Sequence, residues 1–178
     1  MANTASGDGG APDSRWAAGD SGAVPGGASS GDSGRDLIMR FDTLTPAAGP
    51  YPHSANAVRG IAGARLPWVL ETGSGSLSRD GHLLVRVRGL VLASHPSVPV
   101  SLRGTNPFPA FGAVVSYLSI GPDGTAATAN VSTGEFEASW GGNCDIDARV
   151  SLPQPGSAPI VLVTGPAGAE FWFAVAGR

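Results

Sequence analysis

Apolar and polar positions alternate with a period of two along most of the chain beyond residue 37. His82–Arg88 shows this most plainly: Leu83, Val85 and Val87 alternate with His82, Leu84, Arg86 and Arg88. A two-residue period with arginines on one side marks a strand with one buried and one wet face. Residues 145–152 repeat the pattern, with Ile146, Ala148, Val150 and Leu152 inward and Asp145, Asp147, Arg149 and Ser151 outward. Strands are predicted at 37–41, 68–71, 74–78, 82–92, 111–120, 125–132, 135–140, 145–152, 159–164 and 171–176. Between them lie turn signals: Arg79-Asp80-Gly81, Gly121-Pro122-Asp123-Gly124, Gly141-Gly142-Asn143 and the proline-bracketed 153–156. Gly89 interrupts the 82–92 run and predicts a bulge or a bend between sheets. Residues 42–67 have no clean period; Val58, Ile61 and Leu66 predict a segment that wraps the core, with a short strand or bridge near Ile61.

Gly and Pro cut every window before three helical turns accumulate. Eight to ten short strands with regularly spaced turns predict an all-β domain, an antiparallel β-sandwich, with a β-barrel as the alternative. About 140 residues are enough to bury roughly two thirds of their surface in one core. The domain is therefore expected at 37–178. Residues 1–36 differ in kind: Gly, Ala, Ser and Asp dominate, and only Trp16 and Val24 are sizeable apolar groups. Such a segment cannot offset about 1–2 kcal/mol of backbone entropy per residue, so a disordered tail is expected, serving as a flexible spacer.

Charge follows the same division. Residues 1–36 carry five aspartates against two arginines, whereas residues 37–178 carry nine acids and nine arginines. A neutral domain has no long-range field to draw a phosphate backbone, so nucleic acid is not an expected partner. All eleven basic residues are arginine. Together with abundant Ala, Gly and Pro this is what a high-GC coding sequence produces. Without lysine there is neither Schiff-base chemistry nor a P-loop cation. The start of the chain lacks a signal-peptide pattern, no apolar run approaches a membrane span, and the single cysteine makes no intrachain disulfide. A cytoplasmic protein that does not engage membranes is the expectation.

Candidate chemistry is sparse. His53, His82 and His95 are dispersed in sequence and read as ordinary surface or loop histidines; no metal and no cofactor is expected. Asp145 and Asp147 share a strand face ~7 Å apart, which suits calcium or, more commonly, pairing across to Arg86 or Arg88. Glu135 and Glu137 match a glycosidase pair only by residue type; their spacing is also that of a wet strand face. Cys144, at the start of an alternating strand, reads as a packed thiol rather than a nucleophile. No GxSxG elbow is present, and Asn130-Val131-Ser132 matches a glycosylation sequon.

Aromatic residues are the remaining candidates. Trp68, Phe108, Phe111, Trp140 and Trp172 are the expected binding residues. In Phe171-Trp172-Phe173 both strand faces are aromatic, so a loop, a tail or another subunit must cover one of them. Phe108 and Phe111 lie on a proline-braced loop that looks exposed. The segments LPWVLETGSGSL, VRVRGLVL, LRGTNPFPAFGAVVSYLS and LPQPGSAPIVLVTG resemble small single-domain β-proteins of high-GC bacteria. That resemblance implies a sandwich over roughly 37–178 and carries no assigned activity. The expected function is a non-enzymatic interaction or structural module, binding a protein partner or self-associating through an aromatic surface. A carbohydrate or small-ligand binder is the alternative, and a hydrolase or metal-dependent enzyme the third reading. The second requires the aromatics to line one concavity; the third requires a histidine within reach of Asp, Glu or Cys144.

Overall fold

The computed structural model describes residues 36–49, 55–152, 156–166 and 171–176. The expected tail up to residue 35, with Trp16, and also His53 lie outside these residues. Thirteen strands and one 3-10 turn at Val100–Leu102 make up the regular structure of the described residues. Eight strands span five residues or more: β1 (Leu37–Phe41), β5 (Thr72–Ser78), β6 (His82–Arg88), β8 (Ala110–Ile120), β9 (Ala126–Ser132), β11 (Cys144–Arg149), β12 (Ser157–Thr164) and β13 (Phe171–Ala176). Five span two residues: β2 (Thr45–Pro46), β3 (Ala62–Gly63), β4 (Trp68–Val69), β7 (Val91–Leu92) and β10 (Phe136–Glu137). The architecture is an antiparallel β-sandwich and does not close into a barrel.

The smaller sheet runs β1-β5-β6-β11. Its registers put Cys144 beside Val87, Ile146 beside Val85 and Ala148 beside Leu83, so these apolar side chains share the inner face. Two glycines make room on that face. Gly75 lies between Phe41 and Val85 in the ladder, and a Cβ there would strike the Phe41 ring and the Leu84 carbonyl. At Gly73 the Leu44 side chain takes the same space. The serine- and glycine-rich strand β5 is thus held by its neighbours' bulk rather than its own.

In the larger sheet β8 is central. Its first residues pair with β10 and its remainder with β9, while β12 flanks its other side and leads on to β13 and β2. Gly112 through Tyr117 are buried on both alternating faces. Residues 55–64 account for the second face. Asn130, opposite Ser116 in the β8–β9 ladder, donates to the Arg59 carbonyl, so the loop lies over the face that carries Ser116, Val114 and Leu162. Val58 and Ile61 bridge each other, β3 adds to β13 in parallel, and Ile61 is buried. The predicted wrapping segment and its bridge at Ile61 are present.

Arg59 latches this cover. Its guanidinium donates 2.8 Å to the Ser116 carbonyl and 2.6 Å to that of Ala158. The β12 register slips between Ser157 and Ile160, which takes carbonyls out of the ladder. Arg59 (φ 49°) and Ala158 (φ 47°) both adopt left-handed backbone that non-glycine residues avoid. The latch therefore stores strain where its two hydrogen bonds hold it.

Two predicted strands come out differently. The 82–92 run breaks at Gly89 (φ 66°): β6 stays in the small sheet while β7 pairs with β4. The 135–140 strand is reduced to β10, because the chain turns at Ser139–Asn143, where Gly142 donates to the Ser139 carbonyl and Ser139 to that of Asn143.

Gly75→Ala is expected to lower stability by about 1–3 kcal/mol through overpacking, read from the midpoint of urea unfolding. Gly134→Ala, where a Cβ meets nothing, should leave it within ~0.5 kcal/mol. Tyr117 is buried and its hydroxyl has no partner. Burial pushes its pKa up to about 12 and that of Cys144 up to about 11, both above their unfolded values of 10 and 9. Unfolding releases these protons first, so stability should be full below pH 9 and fall as pH rises through 11 and 12. Tyr117→Phe is expected to gain roughly 1 kcal/mol at neutral pH and to lose the later part of that alkaline fall in pH-dependent melting.

Candidate functional site

The outward face of the small sheet is a mosaic of opposite charges. Arg88 donates through one nitrogen to both Asp145 oxygens, at 2.8 and 2.9 Å, and Arg86 stands 3.8 Å from the same carboxylate. Arg149 meets Asp80 at 2.9 Å, and Arg79 meets Asp36 at 2.6 Å. The Asp80 carboxyl is held well down, at about 2, chiefly by the Ser78 hydroxyl, with help from the His82 N–H and Arg149. Asp145 thus takes the cross-strand arginines expected for the pair, whereas Asp147 meets His82 instead. Among the described residues no group of three or more His, Cys, Asp or Glu side chains is placed to hold a metal ion.

The described histidines do not converge, although His82 has the contact with an acid that the enzymatic reading required. His82 Nε2 lies 2.7 Å from Asp147 Oδ1, and His95 Nδ1 lies 2.8 Å from the Ser97 hydroxyl in a separate loop. Ser78, Asp80 and His82 lie close in sequence, yet the Ser78 hydroxyl bonds the Asp80 carboxylate and the His82 carbonyl rather than an imidazole. Cys144 is buried, with its thiol 3.7 Å from the Phe136 carbonyl. Burial pushes its pKa up to about 11, away from the lowered value that a nucleophilic cysteine needs. Glu135 and Glu137 are both exposed.

Four of the five expected aromatic binding residues turn inward. Trp68 stacks on Phe173 at a centroid distance of 4.3 Å, and Phe108 stacks on the same ring at 5.2 Å. Phe111 meets Trp68 and Phe173 edge-on, at 6.5 and 5.8 Å. Trp68 and Phe111 are fully buried and Phe108 is half-buried. Phe108 and Phe111 are therefore packed against the core, not the exposed loop aromatics expected, because the Asn106 side chain holds the Phe108 N–H and carbonyl and both rings meet Phe173. Trp172 is buried too, its indole N–H donating 3.0 Å to the Asn56 carbonyl. For the aromatic strand at 171–173 the required cover is a loop of the same chain.

Trp140 alone among the five stands in solvent, 63% exposed. The turn that carries it is held by several hydrogen bonds. Asn143 N–H donates to the Ser139 hydroxyl at 3.0 Å, and Asn143 Oδ1 accepts from Gly89 N–H at 2.9 Å. The Trp140 carbonyl accepts from Asn106 N–H at 2.8 Å. Gly142 (φ 73°) lies so close to the Leu90 backbone that no Cβ fits. Asn106 is the central brace. It is buried, its amide donates to Phe108 and Ser139 carbonyls at 2.7 and 3.0 Å, and its oxygen accepts from Phe108 N–H at 3.0 Å. The sequence marks Asn143 within the Gly141-Gly142-Asn143 turn but gives Asn106 and Ser139 no role of their own. The one available signal was an Asx residue before proline in Asn106-Pro107.

The arrangement presents one large amphipathic side chain on a stiff turn, with uncharged Ser139, Gly141, Gly142 and Asn143 around it. A rigid, exposed tryptophan can bury a large area at little loss of conformational entropy. No protein-family model, curated protein or solved structure matches the chain.

Asn106→Ala removes three part-buried hydrogen bonds to the backbone of Phe108 and Ser139, and should lower stability by about 1–3 kcal/mol. Hydrogen exchange should speed up at Asn143 and Gly142, whose N–H bonds depend on the Ser139 turn. Unchanged exchange there would separate Asn106 from the turn.

Proposed function

We propose that this chain is a non-enzymatic β-sandwich binding module that meets a protein partner through Trp140. The observation that carries the reading is the contrast between this residue and the other aromatics: four are spent on the core, and one is held out on a turn braced by buried Asn106. Tryptophan is the residue type most often found as an energetic anchor of protein interfaces. The charge balance of residues 37–178 favours a partner recognised by apolar contact and shape over a polyanion.

A carbohydrate platform is less well supported, since Trp68, Phe108 and Phe111 pack on Phe173 rather than beside Trp140. Among the described residues, no helix is long and apolar enough to cross a membrane.

The test uses the full-length chain, Trp140→Ala and Trp140→Phe as baits for partners from the cell of origin, followed by calorimetry on the purified partner. The alanine variant is expected to bind at least about tenfold more weakly, with the phenylalanine variant recovering much of the loss. Equal affinities for wild type and Trp140→Ala would sink the reading.

A further inference from the structure

The geometry points to strand β9 as a seam at which two copies of this chain join edge to edge. β9 pairs with β8 and with no other described strand. The rungs that are hydrogen-bonded to β8 follow from its two ends. Gly121 N–H bonds the Thr125 carbonyl, and Thr133 N–H bonds the Ala113 carbonyl. Antiparallel ladders alternate bonded and non-bonded rungs, so between these ends Ala127, Ala129 and Val131 bond inward to β8. Ala126, Thr128, Asn130 and Ser132 then point their N–H and C=O groups away from the sheet. Those same four residues are exposed.

Natural sheets guard such edges with charge, proline, bulges or short strands. Among the described strands the other edges of the sandwich's two sheets have these guards, β3 and β10 by being two residues long. β1 carries Arg40 and a register slip between Leu37 and Met39. β11 carries Asp145, Asp147 and Arg149, and β2 is two residues long and ends in Pro46. β9 has none: its seven residues, AATANVS, hold an unbroken register against β8 with no charge and no proline.

A second copy is the occupant that this edge selects. The side chains are small and uncharged, so an antiparallel copy approaches with no like charges opposed within the strand, and every outward group finds its complement. The edge has no deep pocket-forming residue or charge by which it would choose a foreign strand. Self-pairing about a two-fold axis also closes the assembly at two, leaving no β9 edge open. The inference stands apart from Trp140, which lies on another turn, so the two readings fail separately.

Sedimentation equilibrium of the full chain should give twice the 17.8 kDa chain mass. Thr128→Lys places a charge on the edge, and Thr128→Pro removes an N–H that β8 does not use. Each should weaken dimerisation by at least about tenfold, while circular dichroism remains that of the wild type. Amide exchange at Thr128 and Asn130 should slow as wild-type concentration rises, and stay fast in the Lys variant. A wild-type chain that is monomeric at millimolar concentration overturns the inference, whether or not a foreign peptide adds to the edge. So does a dimer that both variants leave intact, or an open-ended oligomer.

Discussion

The larger sheet must be covered on both faces, and the chain meets that demand with its own irregular segment. Residues 55–64 lie across the back of β8 and β12, locked by the Arg59 guanidinium on the Ser116 and Ala158 carbonyls. An exposed Val114 or Leu162 would forfeit roughly 1.5–3 kcal/mol of burial each, so the latch defends a sizeable apolar area. It also decides which aromatics are available to a partner. Trp172 is bound to Asn56 beneath the cover and cannot serve as an anchor while the cover is closed.

At the loop end of the sandwich the organising element is a buried amide. Asn106 satisfies carbonyls from both its own loop and the Ser139–Asn143 turn, tying two segments far apart in sequence. Beside it the Trp68–Phe108–Phe173 stack fills the core, so the Trp140 turn rests on a stiff base. An anchor held this way meets a partner with its geometry already set. The chain thus solves two different problems: the cover hides aromatic surface under a loop, and the Ser139–Asn143 turn presents a single ring.

The sandwich itself was legible wherever one face is wet. The alternation in 82–88 and 145–149 maps directly onto β6 and β11, and Gly89 marked the bend at which the chain leaves the small sheet. Periodicity was less informative where both faces are buried, since β8 and β12 read simply as apolar runs. The site was harder to read than the fold. Inward and outward aromatics have the same letters, and what separates Phe111 from Trp140 is a set of contacts with Phe173 and Asn106 that span tens of residues. The pairing of Asp145 with Arg88 was readable because it lies across a single ladder rung's neighbourhood. The cover of the 171–173 strand was foreseen as a necessity but not assigned, because nothing local distinguishes a loop from a second subunit.

The mosaic of paired ions on the small sheet has a kinetic corollary. Opposite charges a few ångströms apart cancel beyond a Debye length of about 8–10 Å, so this side of the domain projects almost no field into solution. Encounters with this surface go unsteered, near the ~10⁵–10⁶ M⁻¹s⁻¹ of neutral protein pairs, and added salt leaves them almost unchanged. Selectivity then resides in how long a complex lasts once formed, not in how often its members meet.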